Sequence, residues 1–282
     1  MVSPAPSVVP ERDGDTPATS SPNAGAPVKS AARVLDILED LGTRGPASLQ
    51  VLAQRLTVPK SSLHALLRTL HDRGWLQTDA SGTIFSLGIR ALTVGAAYLD
   101  GDIVVARTSP ILDELAQATG ETVHLGRLEG DHIVYTAKRE SSHPLRMYSA
   151  VGRRLPAYVT AMGRALLADR SPEDLEALVP KVLAPLTART TVDRAKLNGI
   201  LDAARATGFA IENEESCIGI ACFAISLPFA SPAVDAISIA VPISRLDDDV
   251  RSLVIEQLLA VRTRLQQQAP HRPLQVVRPG TT

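Results

Sequence analysis

The sequence predicts an α+β chain, with a small helical block and a hairpin first and a larger block built on an antiparallel sheet after it. Three observations carry this reading. Between residues 28 and 87, three helical patterns precede two short strand patterns joined by a turn. Beyond residue 102, strands and helices follow one another without the regular alternation of a doubly wound sheet. Within that second block, Glu129-Gly130-Asp131 parts two strand patterns as a hairpin turn does.

Residues 1–27 hold 6 of the 20 prolines and show no apolar periodicity, so a disordered tail is expected there. Ser30 is placed to cap a first helix with Val34, Leu35, Leu38 and Leu41 inward and Gly42 at its end. Ser48 caps a second, short helix that buries Leu49, Leu52, Ala53 and Leu56. Pro59 stands in the first turn of a third helix that runs to Gly74. Strands at 75–78 and 83–87 flank the turn residues Asp79, Ala80, Ser81 and Gly82.

Helical character returns over 88–101, a linker helix, and again over 103–118, where Pro110 should kink the helix or divide it. In the second block, 102–267, strands are expected at 122–128, 132–138, 145–149, 208–214, 220–227 and 234–241. Helices are expected at 160–169, 172–179, 194–207 and 247–266. Asp247, Asp248 and Asp249 suit the start of the last of these, where the helix dipole favours anions. A second disordered tail is expected over 268–282, which carries Pro270, Pro273 and Pro279.

Composition excludes several classes. The chain has 282 residues and is 45% hydrophobic, enough for a sizeable core. Two cysteines do not make a secreted disulfide scaffold. No apolar run is long enough for a membrane helix, and the first 30 residues lack the pattern of a secretory signal, so a cytoplasmic protein with no membrane partner is expected. With 4 Phe, 4 Tyr and 1 Trp, neither a base-stacking surface nor a ring-lined cavity is expected. The net charge of −1 conceals an uneven distribution. Residues 28–99 hold 8 Lys plus Arg against 5 Asp plus Glu, a net of +3, which leaves −4 for the rest.

A short helix, a tight turn, a second helix and a hairpin describe a winged helix-turn-helix. On the third helix, Leu63, Leu66, Leu67 and Leu70 share one stripe, while Ser61, His64, Ala65 and Arg68 lie opposite. That outer face offers a hydroxyl, an imidazole, a small residue for close approach and a guanidinium to a DNA major groove. Lys60 at the helix start suits a phosphate. With Ser62 beside it and Ser48 at the start of the second helix, these residues are the candidate contacts to double-stranded DNA.

The motifs that run through the chain are Pro59-Lys60-Ser61-Ser62-Leu63-His64, Leu70-His71-Asp72-Arg73-Gly74-Trp75-Leu76, Phe85-Ser86-Leu87-Gly88 and Glu121-Thr122-Val123-His124-Leu125. Val151-Gly152-Arg153-Arg154-Leu155-Pro156, Ala161-Met162-Gly163-Arg164-Ala165-Leu166-Leu167-Ala168 and Glu212-Asn213-Glu214-Glu215, followed by Gly219 and Cys222, complete the series. Together, over roughly residues 28–266, they resemble the IclR family of bacterial transcriptional regulators. The resemblance implies a winged helix, a linker helix and a GAF-like effector domain. It implies a homodimer through the DNA-binding half that can pair again as a dimer of dimers. Two-fold symmetry then implies a palindromic operator.

Strand parity gives a reading of the second block independent of that resemblance. In 220–227, Ala221, Phe223, Ile225 and Leu227 make a bulky face, and Ile220, Cys222, Ala224 and Ser226 a smaller one. In 234–241, Ile237, Ile239 and Val241 oppose Ala236, Ser238 and Ala240. The smaller faces either leave room for a ligand or admit a closely packed helix. The resemblance favours a ligand and matches its contacts to Ala161, Met162, Glu212, Ile220, Cys222, Ser238 and Ala240. Backbone N–H groups near Ala161 and Met162 at a helix start suit a carboxylate, and Met162 with few rings nearby suggests a small organic acid, aliphatic or with a modest ring, as effector. Glu212, longer than the acidic residue often found there in the family, and Cys222 would orient its polar end.

The expected function is a ligand-responsive, sequence-specific DNA-binding regulator, repressor or activator. No catalytic residue, metal or cofactor is expected. The alternatives are an enzyme centred on Cys222 with a DNA-binding appendage, where His124 or His132 would serve as base, and an architectural DNA-binding protein with no ligand. Cys217 and Cys222 are too widely spaced for a Cys-x-x-Cys redox pair, and His64, His71, His124, His132, His143 and His271 form no metal-ligand motif.

Overall fold

A computed structural model of the chain describes residues 28–146 and 149–268. The tail expected at 1–27 lies outside these residues. So does the second tail beyond Gln268, and His271 with it.

The N-terminal block packs α1 (Lys29–Arg44), α2 (Leu49–Arg55) and α3 (Lys60–Asp72) around Ile37, Leu41, Leu52, Leu63, Leu67 and Leu70, all buried. The capping expectations need correction at three places. Ser30 lies inside α1, whose N-cap is Val28 with no side-chain bond. Gly42 is also inside α1, and the helix ends instead at Gly45, whose φ of +79° only glycine adopts readily. Pro59 is the N-cap of α3 rather than its first turn. Ser48 does cap α2, accepting the N–H of Val51 at 3.4 Å. Buried Asp40 holds both Arg44 (3.6 Å) and Arg55 (3.1 Å).

The hairpin of β2 (Leu76–Thr78) and β3 (Ile84–Leu87) is joined by β1 (Ala47–Ser48), an unexpected strand only two residues long. The sheet order is β1-β3-β2. At the tip of this wing, the Asp79 carboxylate accepts the Ser81 hydroxyl and the N–H groups of Thr83 and Ile84. From Leu76 to Leu87, Asp79 is the wing's sole charged residue.

Next come α4 (Ile89–Asp100), which has no buried residue in the single chain, and α5 (Ile103–Thr119). Pro110 neither divides nor ends α5. Asp102 separates the two helices and caps α5 through Val104 and Val105.

The second block is built on one antiparallel sheet of six strands. They are β4 (Thr122–Glu129), β5 (His132–Arg139), β6 (Arg154–Pro156), β7 (Ala210–Asn213), β8 (Ile220–Ser226) and β9 (Asp235–Pro242), in the order β6-β5-β4-β9-β8-β7. The strand expected at 145–149 is absent at Leu145, Arg146 and Ser149, while 147 and 148 lie outside the described residues. Side chains take that segment's carbonyls in place of a ladder: Arg245 donates to Leu145 O (2.9 Å) and Lys138 to Ser149 O (2.7 Å). The edge position goes to β6.

One sheet face carries Phe223, Ile225, Ile237, Ile239 and Val241 and packs on α5 and α9 (Asp248–Gln268). The opposite face carries Ile220, Cys222, Ala224, Ala236 and Ala240 and packs on α6 (Ala161–Leu167) and α8 (Arg194–Thr207). The predicted parity therefore holds in both strands. A short helix α7 (Pro172–Leu178) precedes α8. Among the described residues, no helix is long and apolar enough to cross a membrane.

Candidate functional site

The first candidate site is the outer face of α3. Leu63, Leu67 and Leu70 turn into the core, so the 100° step of the helix puts Lys60, Ser61, His64, Ala65 and Arg68 in solvent. Ser62 is half-buried at the edge of that face. Arg68 lies 3.8 Å from Asp72, one helical turn on. Pro59 offers no side-chain cap, so the first-turn amides of α3 face outward uncapped by the protein. Ser48 stands apart from this set, because its hydroxyl is committed to Val51.

The second candidate site is the small-residue face of the large sheet. The register brings the predicted effector residues together. Cys222 pairs with both Ala240 and Glu212, and Ser238 pairs with Ala224 on one side and His124 on the other. Ile220 is in line with Cys222 on β8, and Ala161 and Met162 open α6 above the sheet. All seven residues are buried.

Two close approaches explain local sequence. A Cβ on Gly163 would lie 2.0 Å from the Ala157 carbonyl oxygen, so only glycine lets α6 sit against the preceding turn. A Cβ on Gly126 would lie 2.9 Å from the Met162 sulfur and 2.7 Å from Ile133, so the Met162 thioether occupies the space above β4. Thr160 caps α6 by accepting the N–H of Gly163 at 3.0 Å, with Ala161 and Met162 in the first turn.

The Glu212 carboxylate on this face is already partnered. Glu212 accepts the N–H of Glu215 (2.9 Å), the N–H of Ser216 (3.3 Å) and the Ser216 hydroxyl (2.7 Å). Burial pushes its carboxyl above the ordinary range, against the pull of those bonds. Burial, and then the Glu212 charge, push the Cys222 thiol well up. A thiol held this way is a poor nucleophile.

Neither candidate base is placed to help it. His132 pairs with Asp131 at 2.6 Å in the β4–β5 turn. His124 lies two strands across and two residues along from Cys222, about 12 Å at ordinary strand spacing and rise, and lies 2.7 Å from the Ser149 hydroxyl. Burial, then the positive charges of Lys138 and Arg153, lower the His124 pKa to about 3, so its imidazole is neutral. Among the described residues, no three His, Cys, Asp or Glu side chains are grouped to hold a metal.

Several residues at this site were not singled out from the sequence. Tyr135 is buried on the same face, its ring centroid 4.8 Å from that of His124. Ser149 joins it through His124. Arg164, 1% exposed, grips Glu215 with two bonds of 2.7 and 2.6 Å and also donates to Tyr158 O and Ile211 O. Glu215 in turn accepts the N–H of Thr191. The pair pins the loop that carries the Glu212 contacts. Parity places Tyr135 on a face, but no spacing in the sequence joins Arg164 to a partner 51 residues away.

Comparison with known proteins covers both blocks. Residues 30–80 match the family described as the IclR helix-turn-helix domain, and residues 96–266 match the family described as bacterial transcriptional regulator IclR C-terminal. The HTH-type transcriptional regulator KdgR of Escherichia coli (strain K12) is 34% identical over 199 residues, 70% of this chain and 76% of that protein. The structure of a transcriptional regulator from Rhodococcus sp. RHA1 is similar with a TM-score of 0.71 at 30% identity, over 85% of this chain and 97% of that one. An IclR homolog from Microbacterium hydrocarbonoxydans, crystallised with 4-hydroxybenzoate, shares the fold with a TM-score of 0.68 at 20% identity, over 84% of this chain and 99% of that one.

Proposed function

Because the chain belongs to the IclR family of DNA-binding transcriptional regulators, we propose that it is a homodimeric, sequence-specific regulator whose affinity for a palindromic operator is set by a small organic acid bound on the inner face of the large sheet. The observation that carries the reading is the division of labour between two faces. The outer face of α3 presents Lys60, Ser61, His64, Ala65 and Arg68 to solvent, and the face of the sheet beneath α6 gathers His124, Tyr135, Cys222 and Ser238 in the interior. The first suits a major groove and phosphates. The second is a mostly apolar interior with a few fixed polar groups, which is how small-ligand sites are built.

Met162 supports room for a ligand. Its side chain is unbranched and flexible, so it can change rotamer where a ligand takes the space above Gly126 in its place. The first-turn amides of Ala161 and Met162, the neutral His124 and the Tyr135 hydroxyl are groups that can fix a carboxylate or hydroxyl. The 4-hydroxybenzoate in the Microbacterium protein is an acid of the size envisaged. Dimerisation falls to α4, whose Ile89 and Leu92 are 70% and 66% exposed in the single chain.

Ligand and operator are linked thermodynamically. An acid that prefers one arrangement of the paired winged helices shifts operator affinity by its differential affinity for the two arrangements. A coupling of about 1–3 kcal/mol suffices. The test has two arms. Selection from random duplexes should yield one palindrome, and a thermal-shift screen of small organic acids on the full chain should find stabilising members that change affinity for it. No selected palindrome refutes the DNA reading, and no response across the acids refutes the ligand class.

A further inference from the structure

Arg127 occupies the point where the linker helix meets the sheet. It lies on β4 directly across from Asp235 on β9, and its Nε donates to the Asp235 carboxylate at 2.7 Å. Its guanidinium also pairs with Asp102, the residue between α4 and α5, and donates to the Tyr98 hydroxyl on α4 at 2.9 Å. One side chain thus joins two strands of the sheet, the cap of α5 and the last turn of α4. The neighbouring positions on the same strands face the other way, with Gly126 beneath Met162 and paired with Ala236.

Two features mark this cluster as more than packing. Asp235 is 1% exposed, yet its Oδ2 atom has no hydrogen-bond partner among the described residues. A buried carboxylate half satisfied in this way costs stability that an apolar residue would not. The second feature is α4 itself. None of its residues is buried within the chain, so no apolar packing inside the single chain sets the direction in which it leaves the sheet. The polar ties of Arg127 to Tyr98 and Asp102 do set it.

We propose that Arg127 is a positioning residue that fixes the angle between the linker helix and the sheet, and through it the separation at which two copies present their α3 helices to DNA. The inference rests on the DNA-binding reading above. It predicts that a dimer with this joint intact tolerates only one spacing between operator half-sites, because each inserted base pair moves a half-site by about 3.4 Å and rotates it by about a tenth of a turn.

The experiment measures affinity of the full chain for the selected duplex and for duplexes with one base pair inserted or removed between half-sites. Wild type should lose about tenfold or more at either altered spacing. Tyr98→Phe, which removes one exposed hydroxyl, and Arg127→Gln should lose threefold or less, with affinity at the original spacing nearly kept. If both variants are penalised as wild type is, or weaken equally at every spacing, the joint is refuted. Arg127→Gln alone can unfold; Tyr98→Phe keeps the test decisive. If wild type selects no duplex, the DNA-binding reading fails in that arm and the joint falls with it.

Discussion

His124 and Ser149 meet at 2.7 Å beneath the large sheet, so the segment that crosses β5 is tied to the middle of β4 through a neutral imidazole. The imidazole stays neutral in the fold down to about pH 3, whereas in the unfolded chain it takes a proton near pH 6.5. Between these values the unfolded state binds the extra proton. Stability is therefore full above pH 6.5 and falls as pH drops through that window, by about 1.4 kcal/mol per unit for this one group. Urea unfolding of wild type and His124→Gln at pH 7.5 and 5.5 checks it. The variant should lose less stability between the two pH values than wild type, and equal losses would exclude His124 as the source.

The Arg164–Glu215 pair is a second buried device. Burial alone would raise the Glu215 pKa, but the Arg164 bonds and charge overcome it and hold the carboxyl below its usual range. Removing one partner leaves the other buried and uncompensated, so Glu215→Gln should destabilise by about 3–5 kcal/mol in denaturant titration. A loss below about 1 kcal/mol would mean that water reaches the site.

Substitutions on α3 should separate two kinds of DNA contact. Arg68→Ala should weaken the selected operator by about 1–3 kcal/mol and relax one base position. Lys60→Ala should weaken all duplexes alike and lower the salt slope by about one. Unchanged affinity and slope in both would move the DNA interface off this face.

The exposed row on α4 predicts the assembly. Leu92→Glu should leave the folded chain intact, because that side chain is mostly exposed within it, and should turn dimers into monomers in sedimentation velocity. A dimer that persists unchanged would place the interface elsewhere.

Local patterning made much of the fold legible. The leucine stripe named the buried face of α3, and the alternation in 220–227 and 234–241 named both faces of the sheet, because periods of 3.6 and 2 are written into single segments. Segments decided by distant partners were less legible. The stretch after Pro144 alternates like a strand, yet Arg245 and Lys138 claim its carbonyls from 100 and 11 residues away. Gly42 looks like a helix end, but the left-handed turn is needed at Gly45. At the effector site, the gathering of Glu212, Cys222 and Ala240 follows from strand register. The His124–Ser149 and Arg164–Glu215 pairs join positions that no period relates.

The wing carries a consequence for how such a protein finds its site. Its one charge is the Asp79 carboxylate, held in the turn by Ser81, Thr83 and Ile84, and nearby Arg44 and Arg55 are already matched to Asp40. The wing therefore adds no cation to the displacement of counterions that holds a protein on arbitrary duplex, and that work falls to the helices, where Lys60 and Arg68 are exposed. Neutralising Asp79 should accordingly raise affinity for arbitrary duplex, whereas removing Lys60 should lower it, so the two ends of the DNA-binding block would pull nonspecific binding in opposite directions.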